Sequence, residues 1–174
     1  LAGAGGRPAA GWLDFDTGLA AAPAAYVRPA GPDRIDPVRD TMLLYFTSGT
    51  TGMPKMVTHN YLYPLGHIMT ACFWQQCRPG GLHLTLADTG WAKASWGKIY
   101  GQWIAGSAVM VYDMDRFVAR QVLEVIVRHG VTTFCAPPTM FRYFIKEELA
   151  SMDWSRLKHC TVAGEPLNPE VYNQ

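Results

Sequence analysis

The stretch Met42–Asn60, "MLLYFTSGTTGMPKMVTHN", decides how the rest of the chain is read. It opens on an apolar run, Met42–Phe46, that reads as a buried strand. It then passes through hydroxyls and glycines to Lys55, and apolar residues return at about helical spacing, predicting a helix over about 59–76. The segment between is a polar loop leaving the end of a strand, which in α/β proteins is where ligands bind. A phosphate chain needs hydroxyl donors, closely approaching backbone N–H groups and a cation. Thr47, Ser48, Thr50 and Thr51 supply hydroxyls, Gly49 and Gly52 supply turns, and Lys55 supplies charge. Turn preferences alone favour a solvated Ser/Thr/Gly connector. The lysine and the preceding strand weigh toward a phosphate clasp. A Walker A loop is excluded, because Met53-Pro54 separates Gly52 from Lys55 where that motif needs Gly-Lys opening a helix. A dinucleotide fingerprint is excluded as well, since no G-x-G-x-x-G follows a strand.

Outward from this stretch, strands and helices alternate. Strands are predicted at 82–86 ("LHLTL"), 108–112 ("AVMVY"), 131–135 ("VTTFC") and 159–163 ("HCTVA"). Helices are predicted at about 92–105, 116–129, 138–150 and from about Asn168, with Gly130 as a stop after His129. Strands separated by helices imply right-handed crossovers and a largely parallel sheet flanked by helices, an α/β fold. Residues 1–40 are rich in Ala, Gly and Pro and read as a connector or edge, leaving 41–174 as the α/β subdomain. Two more loops follow strands: "ADTGW" (Ala87–Trp91) and "GEPLNPE" (Gly164–Glu170). On a parallel sheet all three loops are expected at one carboxyl edge.

About half of the 174 residues are hydrophobic, which suits one sizeable core, and the formal net charge of +1 carries no footprint for nucleic acid or an anionic membrane. No apolar run approaches the ~20 residues of a membrane span. The four cysteines form no C-x-x-C pair, so reduced thiols and a cytoplasmic location are expected. The histidines show no metal-ligand spacing, and no metal ligand is assigned.

The loop "YFTSGTTGMPK" (Tyr45–Lys55) closely resembles the phosphate-loop signature of adenylate-forming enzymes, "[YF]-T-S-G-T-T-G-x-P-K". "DTGWAKASWGKIYGQWIAG" resembles that family's acyl-pocket segment, and "VAGEPLNPE" resembles its adenine-side segment, in the same order and spacing. The resemblance covers about residues 41–174, and "PKMVTHN" with "ADTGW" is most similar to the medium-chain acyl-CoA synthetases and their acetyl-CoA synthetase relatives. It implies a portion of the large N-terminal domain of an enzyme that activates a carboxylic acid, a medium-chain fatty or aryl acid, with ATP and passes it to coenzyme A.

By that resemblance Thr47, Ser48, Gly49, Thr50, Thr51, Gly52 and Lys55 hold ATP phosphates, and Gly164, Glu165 and Pro166 pack beside the adenine. Trp91, Ala92, Lys93 and Ala163 wall the acyl pocket, where small residues at 92 and 163 leave volume for a chain longer than acetate. Trp91 reads equally well as a core aromatic. The Lys93 head either snorkels to solvent or meets a polar or acidic acyl tail. His59 resembles a histidine common after this loop, and Pro137-Pro138 a turn near the substrate site; both also fit ordinary structural roles. The family's "YGxTE" stretch with its Mg2+-binding glutamate, its ribose-gripping aspartate and its lid lysine have no counterpart here. With Leu1 opening the chain and Gln174 just past a helix start, the sequence reads as an excised piece, inactive alone and without a catalytic residue of its own. A stand-alone ATP-binding module and an adenylation domain loading a carrier protein are the competing readings. The oligomeric state is not legible.

Overall fold

The computed structural model describes residues 11, 13–31, 34–47, 52–88 and 90–174, the side chains of 95–97 excepted. Contacts divide the chain into two units, Leu1–Asp36 and Pro37–Gln174. Among its described residues the first unit contains a short helix, α1 (Phe15–Ala21), lying between the two Gly/Pro-rich stretches of the sequence. Asp14 caps it, its carboxylate accepting from the Thr17 N–H at 2.8 Å, so a segment read as connector contains a short capped helix of about two turns.

The second unit begins with a hairpin. β1 (Thr41–Thr47) pairs antiparallel with β2 (Lys55–Asn60), and Thr47 stands opposite Lys55. This corrects the sequence reading twice: Met42–Phe46 belongs to a separate two-stranded sheet, and the helix expected from 59 starts later. The physical cause is local. Gly52 has φ +89°, a turn conformation, and the β-branched Val57 and Thr58 continue along β1. Asn60 then ends the strand: its amide donates to the Val38 carbonyl at 2.8 Å while its Oδ1 accepts from the Leu62 N–H at 3.1 Å. Only then does α2 (Tyr63–Met69) begin, with Pro64 in its first turn, and it continues as a wider helical turn over Thr70–Trp74.

The remaining strands form one parallel sheet of four. β3 (Leu82–Thr85) leads through α3 (Lys93–Ser95), a wide turn at Trp96–Tyr100 and α4 (Gly101–Ile104) to β4 (Ala108–Val109). α5 (Ala119–His129) leads to β5 (Thr133–Ala136), and α6 (Pro138–Phe144) with a short turn at Leu149–Ser151 leads to β6 (His159–Val162) and α7 (Pro169–Asn173). The order is β4-β3-β5-β6 with every pair parallel, as the alternation predicts. β4 is shorter than the expected 108–112, and the helices expected at 116–129 and 138–150 are trimmed to α5 and α6. α5 ends at Gly130, φ +63°, which takes the left-handed cap its sequence position suggested.

The core lies between this sheet and α5 and α6. Leu84, Phe134 and Ala136 meet Val122, Leu123, Ile126 and Phe144. His83 is wholly buried, yet Nδ1 meets the Thr133 hydroxyl at 2.8 Å and Nε2 the Thr85 hydroxyl at 2.7 Å, so it is a satisfied core histidine. Among the described residues no helix is long and apolar enough to cross a membrane.

Candidate functional site

The strand order reverses between β3 and β5, because the chain adds β4 on one side of β3 and then β5 and β6 on the other. Open parallel sheets bind ligands beyond the carboxyl ends of their strands at such a reversal. Three segments leave the carboxyl edge there: the loop after β3 with Trp91, Ala92 and Lys93, the Pro137-Pro138 entry to α6 after β5, and the Ala163–Pro166 loop after β6.

Side chains tie these segments together. Lys93 is half-buried, and its Nζ donates to the Ala163 carbonyl at 2.8 Å, linking the first loop to the third. The lysine head therefore does not simply end in solvent, as one of its sequence readings had it. Glu165 is exposed but fixed from α6: the Thr139 hydroxyl donates to its two oxygens at 2.9 and 3.0 Å, and Arg142 Nη2 stands 3.8 Å from Oε2. At this exposure such an ion pair adds only ~0–1 kcal/mol, so its effect is orientation of the carboxylate. Gly164 has φ +113°, a backbone shape that a side chain resists, and this turns the loop between Ala163 and Glu165. Trp91 is 74% exposed, which overturns its reading as a core aromatic within this chain. Ala92 is half-buried beside it, and Pro166 is exposed.

The opening loop stands apart from this sheet. Thr47, Gly52 and Lys55 lie at the turn end of the β1–β2 hairpin and are exposed; Ser48, Gly49, Thr50 and Thr51 lie outside the described residues. The expectation that all three loops leave one parallel sheet is corrected, since the loops after β3 and β6 do and the hairpin loop does not. What attaches the hairpin is a group of rings centred on Tyr63 of α2. Its ring centroid lies 4.3 Å from His59, 4.5 Å from His67, 5.9 Å from Tyr100 and 6.3 Å from Tyr45. Burial, with a hydrogen bond to Tyr45 next, raises the Tyr63 phenol above its ordinary value. Burial, with the His59 charge second, lowers His67. α4 presses on α2 from behind, as the absence of a side chain at Gly101 permits.

Sequence reasoning missed Thr139, Arg142 and the Tyr63 rings. The available signal for the first two was their place directly after Pro137-Pro138 at a strand end, within the first turns of a helix on the same edge. Among the described residues no group of three or more His, Cys, Asp or Glu side chains is arranged to bind a metal ion.

With this geometry in place, comparison with known proteins is informative. A family model described as AMP-binding enzyme matches residues 7–174. The mitochondrial acyl-coenzyme A synthetase ACSM3 of Mus musculus is 37% identical over 142 residues, 80% of this chain and 24% of its own. Human ACSM4, likewise a mitochondrial acyl-coenzyme A synthetase, is 38% identical over 138 residues, 78% of this chain and 24% of its own. A crystal structure of an acyl-CoA synthetase from Brucella canis superposes with a TM-score of 0.74 at 27% identity, covering 98% of this chain and 30% of that one. The chain thus spans about a quarter of the curated relatives it matches.

Proposed function

On the premise that this chain belongs to the AMP-binding enzyme family, we propose that the protein it forms part of is an ATP-dependent acyl-CoA synthetase. Such an enzyme joins a carboxylic acid to the α-phosphorus of ATP, releases pyrophosphate and passes the acyl group to the coenzyme A thiol. The observation that carries the reading is the phosphate-loop signature on a hairpin whose ends bring Thr47 and Lys55 opposite each other. The identity to acyl-coenzyme A synthetases across the same residues supports the acyl-CoA branch.

In this reading Thr47, Ser48, Gly49, Thr50, Thr51, Gly52 and Lys55 hold the β- and γ-phosphates and offset the charge on departing pyrophosphate, which is electrostatic work by fixed donors. Gly164, Glu165 and Pro166 flank the adenine, with Glu165 kept in orientation by Thr139 and Arg142. Trp91, Ala92, Lys93 and Ala163 line the acid's pocket, sized for a medium-chain or aryl acid. ATP brings Mg2+, whose protein ligand we assign outside these 174 residues. Residues 41–174 carry the functional surface, and the compartment proposed is the reducing cytoplasm, in keeping with four free cysteines. Cell fractionation tests that last point, since the named relatives are mitochondrial.

The deciding experiment measures acid-dependent pyrophosphate release by the complete protein and by its Lys55→Ala variant. Loss of one preorganised donor to developing charge lowers kcat by ~100- to 1,000-fold in comparable sites. Undiminished turnover in the variant removes Lys55 from the phosphate site and the proposal with it.

A further inference from the structure

We propose that Thr139 and Arg142 are positioning residues for the purine of ATP: by holding the Glu165 carboxylate they make it a strut that sets the backbone of 163–166, and not a reader of the base edge. The inference deepens the acyl-CoA synthetase reading and rests on it. The Thr139 hydroxyl stands almost equally far from both Glu165 oxygens, 2.9 and 3.0 Å, so one O–H serves the whole carboxylate. Arg142 Nη2 adds a positive charge 3.8 Å from Oε2. Both groups come from α6, three positions apart, and therefore share a face of that helix. Its other side is anchored to the sheet: the Phe141 and Phe144 rings lie 5.8 and 5.9 Å from that of Phe134 on β5, and Phe144 is buried. Pro137 and Pro138 fix the backbone at the entry to the helix. The strut thus runs from a firmly packed element at the end of β5 to the loop after β6, which is how a site is held to a precise geometry.

What the strut fixes is the turn at Gly164. Ala163 is held already, its N–H donating to the Ala136 carbonyl at 3.4 Å and its carbonyl accepting from Lys93 Nζ at 2.8 Å. Gly164 follows at φ +113°, and Glu165 is the next residue. A glycine has more conformational freedom to lose than any other residue, so by itself it would leave this turn loose. With its neighbours on both sides tethered, the Gly164 peptide groups take one orientation before a nucleotide arrives, and a preorganised backbone loses less freedom on binding. The carboxylate that does the tethering is turned toward α6. The base is therefore met by loop backbone, which a flat ring can approach closely at a glycine.

The test uses the complete enzyme, with pyrophosphate release followed at saturating octanoate or benzoate while ATP or inosine triphosphate is varied. The two nucleotides differ at purine C6, where an amino donor is replaced by an oxo acceptor that a carboxylate cannot bond. Thr139→Val removes the O–H at nearly constant volume and should raise KM for ATP ~10-fold, the low end for a hydrogen bond to a charged group. Arg142→Gln should raise it ~2- to 5-fold, the scale of an exposed ion pair. Thr139→Ser keeps the hydroxyl and should recover most of the wild-type value. Tm should stay within ~2 °C of wild type in all three, and KM for the acid should not move. Thr139→Val added to Glu165→Ala should cost nothing further, because Thr139 acts through that carboxylate. The ratio of kcat/KM for ATP to that for inosine triphosphate should be the same in Glu165→Ala as in wild type. An unchanged KM for ATP in Thr139→Val, additive costs in the double variant, or a rise in KM for ATP matched by a loss of Tm or by an equal rise for the acid, overturns the inference. A changed nucleotide ratio in Glu165→Ala makes the carboxylate a base reader and overturns it too. In each of these cases the wild type still releases pyrophosphate and the enzyme reading stands. Absence of release by the wild type with any acid defeats that reading and this inference together.

Discussion

Replacing Gly101 with alanine tests whether helix packing holds the phosphate-loop hairpin in position. A methyl group there would lie 2.4 Å from the His67 carbonyl oxygen and 2.7 Å from the Ala71 Cβ. Carbon atoms in contact prefer ~3.5–4.0 Å, so α2 and α4 must part by about 1 Å. The obstruction is the backbone of α2 and cannot rotate away. Overpacking of this kind costs ~1–3 kcal/mol, against which alanine recovers up to ~1 kcal/mol of glycine's helix penalty. A net loss of ~1–2 kcal/mol lowers Tm by ~2–8 °C in a domain of moderate size. The same movement displaces His67 and the Tyr63 ring it packs against, and Tyr63 in turn contacts His59 and Tyr45 of the hairpin. A misplacement of ~1 Å at a reacting geometry can cost ~100-fold, so kcat/KM for ATP should fall in step with Tm. The assay is thermal unfolding and pyrophosphate release by the complete protein. Gly66→Ala on α2, where nothing lies within 4 Å of the new methyl, is the control and should be neutral or stabilise by ~0.4–1 kcal/mol. If Gly101→Ala matches wild type in both Tm and ATP kinetics, the helices do not position the hairpin.

Gly164→Ala should weaken ATP use through the backbone: the new methyl meets Lys93 Nζ at an ordinary 3.7 Å, but φ +113° costs a side chain ~1–3 kcal/mol, and an unchanged KM for ATP would refute this. His67 titrates below its ordinary 6.5 because burial, and then the His59 charge, resist its protonation. The unfolded chain therefore binds this proton first; stability is full above about pH 6.5 and declines as pH falls through the lower folded value. Melting curves from pH 7.5 to 5.5 should show that decline and His67→Gln should flatten it; equal slopes would count against the assignment. The Cys77 thiol is buried and pushed up by that burial, and Cys135 is buried too, so iodoacetamide should reach both only after denaturation. Rapid labelling of either in the native protein would contradict the core described above.

The parallel sheet was legible because each strand and helix writes its own period within a dozen residues. "VTTFC" and "HCTVA" yield β5 and β6 almost as read, and the α5 stripe ends at Gly130 as expected. The hairpin was not legible, because a short apolar run beside a polar turn fits either a crossover strand or a hairpin arm. Pairing of Phe46 with Met56 and Thr47 with Lys55 across the turn chose between them. Trp91 was undecided for a related reason: an aromatic at a strand–helix junction is buried or exposed according to what packs over it, and here it is exposed.

The sequence by itself determined the phosphate-loop signature and the alternation of strands and helices, since both depend on residues that are neighbours along the chain. The tertiary structure alone decided the β4-β3-β5-β6 order, the bond from Lys93 to Ala163 and the turning of Glu165 toward Thr139 and Arg142. The hydrogen bonds of Lys93 and Thr139 join residues 70 and 26 positions apart, and no local pattern encodes them. They exist because the sheet brings the ends of β3, β5 and β6 to one edge, where the groups leaving those ends must satisfy one another.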